Sequence, residues 1–179
     1  YASIDDNKDN MLKLWQTMVN IECGPGCKEG VDEIGIMLAD FFTKLGGKCR
    51  FQEFANAGNM VVSEFGACSK PFIILTGHMD TVFKYGTAAE RPFKIEDGKA
   101  YGPGVLDMKG GIVILSYALK ALKECGWDKH PVKVILLGDE EVGHANSEAP
   151  KAIMEEAEGA FASFNFETGF PDNGIVVER

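Results

Sequence analysis

The apolar positions of the chain follow two rhythms that alternate along its length. In residues 7–21, Met11, Leu14, Trp15, Met18 and Val19 recur at helical spacing and predict an amphipathic helix. The stretch CGPGC at residues 23–27 interrupts it. The same period returns with Val31, Ile34, Leu38, Phe41 and Leu45, and Gly46 and Gly47 supply a helix end. CRFQEF from Cys49 and NMVVSEF from Asn59 then read as a pair of strands with a short connection. PFIILTGH, ending at His78, is a continuous apolar run, the pattern of a strand covered on both faces. A long irregular stretch follows from Thr81 to about Gly104, with one short hairpin around FKIEDGKAYG. MKGGIVILSYALKALKECG predicts a helix despite Gly110 and Gly111 in its first turn. PVKVILLGDEE reads as a second buried strand, SEAPKAIMEEAEG as a helix, and AFASFNFE and GIVVER as closing strands. Strands alternating with helices define an α/β class with a mostly parallel, covered sheet.

In such sheets ligands bind beyond the carboxyl ends of the strands. Each apolar run here ends in chemistry. His78 and Asp80 follow FIIL, and Asp107 follows the glycine-rich AYGPGVL. Asp139, Glu140 and Glu141 follow VILLG, and Glu167 follows FASFNF. One acid after a strand is ordinarily a helix cap or a solvated loop residue. Four acidic ends on one edge repel each other unless they are protonated or neutralised. Lys109 is the only basic residue close by in those segments, so divalent cations are the direct solution. Imidazole with carboxylates suits zinc, and also cobalt or manganese. One histidine and several carboxylates carry too much charge for one ion, which favours two ions with Asp107 as bridge. In HMD, residues i and i+2 of an extended segment share a side, so Asp80 can hold the ring nitrogen of His78 that is not on a metal. In DEE, one glutamate can ligate while its neighbour stays free as a base.

Composition narrows the partners. The 179 residues are 45% hydrophobic and 25% charged, as in soluble globular proteins, with a net charge of −9 that lacks the basic stripe of a nucleic-acid surface. No apolar run is long enough to span a membrane. The five cysteines are scattered and do not form a disulfide framework, which points to the cytoplasm. An exported form stays open, because the chain starts at Tyr1 rather than Met. Cys23 and Cys27 bracket a turn, leaving a local disulfide or a stray metal site beside the plainer reading of free thiols. His130 reads as a solvated loop residue. His144, three places after Glu141, is a further candidate near the site.

The ordered motifs GHMDTV, YGPGVLDMKGG, GDEEVG and NFETG resemble those of the co-catalytic zinc peptidases and deacylases. That family includes glutamate carboxypeptidase, acetylornithine deacetylase, succinyl-diaminopimelate desuccinylase and aminoacylase. GHMDTVF and RPFKIEDGKAYGPG are closest to the glutamate carboxypeptidase branch, and MVNIECGPGCKEGVD extends the likeness towards the amino terminus. The resemblance implies a three-layer α/β/α catalytic domain with a mixed sheet and two Zn²⁺ per full-length subunit. It implies that His78 and Glu167 bind the second metal, Glu141 the first, and Asp107 both. Asp80 would orient His78, and Glu140 would be the general base that takes a proton from the water between the ions. It also implies a cis peptide bond between Asp107 and Met108. Relatives of this kind are about twice as long. The expectation is therefore an amino-terminal portion of the catalytic domain, without the lid and dimerisation domain and without the carboxyl-terminal segment that carries a second metal-binding histidine. The full-length protein is expected to cleave a small peptide or N-acyl amino acid, as a homodimer through the lid, and the isolated portion to have little or no activity. Two alternatives stand: an N-deacylase of the same family, and a non-catalytic or partner-binding subunit. A magnesium phosphoryl-transfer enzyme fits less well, since GPGVLDMKGG lacks the Lys-Ser/Thr of a phosphate-binding loop.

Overall fold

The structure is a computed structural model that describes residues 2–69 and 71–169. In chain order, helices α1 (Ala2–Asp6), α2 (Lys8–Val19) and α3 (Lys28–Lys44) lead into strands β1 (Lys48–Gln52), β2 (Met60–Phe65) and β3 (Phe72–His78). A short helix α4 (Thr87–Glu90) and a separate hairpin of β4 (Lys94–Glu96) and β5 (Lys99–Tyr101) precede a wide turn at Val105–Gly110. Helix α5 (Gly111–Glu124), strand β6 (Val132–Leu137), helix α6 (Ala149–Ala157) and strand β7 (Ala160–Asn165) complete the described residues. The expected strand GIVVER lies outside them.

The five-stranded sheet has the order β1-β2-β6-β3-β7. β3 runs parallel to both β6 and β7, whereas β2 is antiparallel to β6 and to β1. The parallel character is therefore confined to one half of the sheet. There a helix intervenes between successive strands and returns the chain to the same end, while β1 and β2 are joined directly and fold back on each other. The register sets Thr76 level with Ile135 and Asn165, so the carboxyl ends of β3, β6 and β7 come out flush.

Alternation along the strands supplies two cores. On one face Val132, Val134 and Leu136 of β6 pack with Leu38 and Phe42 of α3 and Ile112, Leu115 and Leu119 of α5. On the other, Ile135 packs with Phe72, Ile74, Met60 and Val62 beneath Ala152, Ile153 and Ala157 of α6. The result is three layers, helices–sheet–helix. The irregular stretch departs from expectation by holding α4, a single turn that periodicity cannot reveal.

Lys133 breaks the apolar pattern of β6 under α6. Its ammonium donates to the Glu156 carboxylate (2.9 Å) and carbonyl (3.0 Å) and lies 4.6 Å from the centre of the Phe72 ring. Arg50 pairs with the same carboxylate, so Glu156 ties α6 to the sheet. Burial works to raise the Glu156 carboxyl, but Arg50 and Lys133 outweigh it and hold the group below its usual value. A folded-state value below the unfolded one gives stability that is present above about pH 4.5 and lost as pH falls through the folded value. Glu156→Gln is expected to cost about 1–3 kcal/mol near pH 7, because it removes the nearer carboxylate of a buried ammonium and leaves it Glu64 at 3.6 Å. The difference from the parent should shrink as urea melts are taken towards pH 3, and a difference that does not change with pH would refute the account.

Candidate metal centre

The flush strand ends place the chemistry. β3 delivers His78, which is 2% exposed at the edge of the core. Pairing continues past the strand ends: Met79 N–H donates to the Leu137 carbonyl (2.8 Å) and Phe166 N–H to the Thr76 carbonyl (3.0 Å). The second of these carries the chain on to Glu167. Two glycines permit the close approach. A methyl at Gly111 would overlap the Phe166 carbonyl, and one at Gly77 would lie 2.6 Å from Cε of Met108. Asp107 sits in the wide turn, which Trp15 of α2 pins by donating from Nε1 to the Val105 carbonyl (2.9 Å). The Asp107–Met108 peptide is cis, as expected, and the Met108 sulfur accepts the His78 N–H (3.1 Å).

These elements converge on one point. Nε2 of His78 lies 2.9 Å from the Glu167 carboxylate, 3.1 Å from Asp107 and 4.0 Å from Glu140. His78, Asp107 and Glu167 each bring one ligand atom into a group no more than 4.8 Å across. The histidine is buried, whereas the Asp107 side chain is 55% exposed, so the group opens to solvent on the carboxylate side. Burial works to lower the His78 pKa. The hydrogen bond and charge of Asp80 overcome it, helped by Glu167 and Glu140, and raise the value to about 9. The carboxylates that favour a charged imidazolium also favour a metal cation beside Nε2. The donor set, one imidazole nitrogen with two carboxylates around an open side, fits zinc and related divalent ions.

Asp80 does more than orient the ring. Nδ1 of His78 is 3.1 Å from the Asp80 main-chain carbonyl and 3.3 Å from its carboxylate. The carboxylate also accepts the backbone N–H groups of Glu140 (3.1 Å) and Glu141 (2.9 Å). It thereby fixes the start of the short Glu140–Val142 turn and links the ends of β3 and β6. Glu141 lies outside the three-residue group. Its carboxyl is raised first by burial and then by the charge of Asp107, which places it within electrostatic reach of the centre. Lys109 does not neutralise the acids: it is fully buried, and its ammonium has no partner among the described residues. His144 bonds to Asp139 rather than joining the group (2.9 Å). His130 is exposed and meets the Phe161 ring edge-on, with ring centres 5.0 Å apart. Cys23 and Cys27 are both free thiols. The Asp80 link and the Asp139–His144 pair had no signal in periodicity, since each depends on a turn geometry or on strand order.

Comparison with known families gives a match over residues 74–178, more than half of the chain, to peptidase family M20/M25/M40. The chain belongs to this family. Among M20 relatives, carboxypeptidase G2 of Pseudomonas sp. (strain RS-16) is 34% identical over 170 residues, 93% of this chain and 40% of the relative. Succinyl-diaminopimelate desuccinylase of Corynebacterium glutamicum is 34% identical over 91 residues, 47% of this chain and 24% of the relative. The fold is shared with human carnosine dipeptidase 1 (TM-score 0.79, 20% identity, 93% of this chain and 40% of that one). It is also shared with an M20 family metallo-carboxypeptidase from Sulfolobus solfataricus (TM-score 0.75, 22% identity, 91% of this chain and 38% of that one). The chain thus spans about 40% of the length of carboxypeptidase G2.

Proposed function

We propose that the protein carrying this chain is a metal-dependent hydrolase of an amide bond in a small peptide or N-acyl amino acid. The observation that carries this reading is the gathering of His78 Nε2, Asp107 and Glu167 within 4.8 Å beside an anchored, uncommitted Glu140. His78, Asp107 and Glu167 would hold a divalent cation, zinc by donor chemistry, and Glu141 with Asp107 would serve a second. When bound, such ions supply Lewis acidity for a carbonyl and for the charge that develops on it.

The chain's own residues do the rest. Asp80 and its carbonyl hold Nδ1 of His78, so the ring presents Nε2 to the centre. The Glu140 side chain is 48% exposed and makes no hydrogen bond among the described residues, so its carboxylate is available to take the proton of the attacking water and return it to the leaving amine. The likeness to carboxypeptidase G2 favours carboxypeptidase-type cleavage. The likeness to a desuccinylase supports N-deacylation, which breaks the same kind of bond at the same centre.

Chelation tests the reading. Dialysis against a strong chelator should abolish hydrolysis of dipeptides and N-acyl amino acids, and Zn²⁺ or Co²⁺ should restore it. His78→Ala should lower metal content as well as rate. Full turnover by protein shown by elemental analysis to be metal-free would refute the proposal.

A further inference from the structure

The turn that carries Glu140 and Glu141 is closed by a second device, which the family motifs leave unassigned. Nδ1 of His144 donates to the Asp139 carboxylate (2.9 Å), and His144 N–H donates to the Asp139 carbonyl (3.0 Å). Inside this ring Gly143 N–H donates to the Glu140 carbonyl (2.8 Å). The chain reverses through two successive left-handed residues, Gly143 (φ 63°) and His144 (φ 56°). A residue other than glycine stays in that region only where its surroundings hold it. Asp139 is 4% exposed, and its other carboxylate oxygen has no partner among the described residues. His144 is thus its single side-chain partner there.

We infer that the Asp139–His144 pair is a positioning clasp that fixes the Glu140 carboxylate over the candidate metal centre. Asp80 holds the start of the turn through the N–H groups of Glu140 and Glu141, and the clasp closes its far end. Glu140 projects from the span between them, 4.0 Å from Nε2 of His78. The inference rests on the reading of Glu140 as the base. His144 acts through Glu140 and touches neither substrate nor metal.

Two substitutions separate the backbone from the side-chain bond. His144→Gly accepts the left-handed conformation and deletes the donor. His144→Asn also tolerates that conformation, and it offers an amide donor at a reach similar to that of Nδ1. In the intact metal-loaded protein, His144→Gly should lower kcat roughly 10–100-fold with KM and metal content unchanged, as expected for a slightly misplaced base. His144→Asn should restore kcat to within about threefold. Amide hydrogen exchange gives a readout independent of turnover: in His144→Gly the Glu141 and Gly143 amides should exchange roughly tenfold faster. Undiminished kcat in His144→Gly would overturn the inference. So would His144→Asn as impaired as His144→Gly, because the ring would then be needed for itself. If the parent shows no metal-dependent hydrolysis, the reading of Glu140 falls. Exchange then decides the clasp alone, and unchanged Glu141 and Gly143 amides would overturn it.

Discussion

Glu140→Ala in the intact protein is expected to lower kcat roughly a thousandfold while leaving KM, metal content and melting temperature close to those of the parent. The separation follows from where the side chain sits. It is half exposed and makes no hydrogen bond among the described residues, so its removal leaves no buried group there unpaired. The turn keeps its backbone bonds to Asp80, which depend on the Glu140 N–H and not on its carboxylate. His78, Asp107 and Glu167 stay in place as the ligand group when Glu140 is removed, so metal content should remain near that of the parent. Stopped assays on an N-acyl amino acid, with elemental analysis of the same sample, test all of this together. A variant that retains more than about a tenth of kcat would show that the proton goes elsewhere.

Asp80→Ala should do broader damage. One carboxylate, 6% exposed, stands against Nδ1 of His78 and against the N–H groups of Glu140 and Glu141. Its removal leaves two part-buried backbone donors without their acceptor, at a cost of about 1–3 kcal/mol. It also loosens the ring whose other nitrogen faces the centre, which in metal sites lowers affinity about 10–100-fold. The ring keeps one restraint, the Asp80 carbonyl at 3.1 Å, so metal binding should weaken without vanishing. Rate, metal affinity and melting temperature should all fall together, the opposite of the Glu140→Ala pattern. Asp80→Asn should rescue little, because its amide group turns a donor towards groups that are themselves donors. Wild-type melting and metal affinity in Asp80→Ala would refute the linking role.

The parts of this site that the sequence discloses are those governed by short-range pattern. FIILTGH announces a covered strand because a continuous apolar run suits a strand buried on both faces, and β3 gives Leu75 to one core and Phe72 and Ile74 to the other. The acids after VILLG and FASFNF announce a strand edge for the same reason. The spacing in HMD places Asp80 beside His78, and the structure agrees. It gives no hint that the same carboxylate caps a turn 60 residues later, since that contact arises only because β3 and β6 are neighbours. Lys109, the one basic residue near the acids along the chain, leaves them unneutralised because its side chain is turned into the interior, where it is fully buried, a direction that spacing alone does not reveal. The likeness of the DEE motif to known peptidases says nothing of His144, whose bond to Asp139 depends on a reversal through two left-handed residues. Helix α4 is one turn long, too short to show a period.

The strand order also bears on the ribosome. β3 is the strand flanked on both sides by partners made after it, and about 50 residues separate its end from the start of β6. At 5–20 residues per second, a nascent chain carries the apolar run FIIL without β6 for roughly 3–10 s, and without β7 for longer. The ligand group shares that schedule, because Glu167 lies beyond β7 and is the last of the three to be synthesised. A metal ion therefore has no three-residue group to seize until β7 has been made, and it rewards a sheet that has already assembled rather than seeding one.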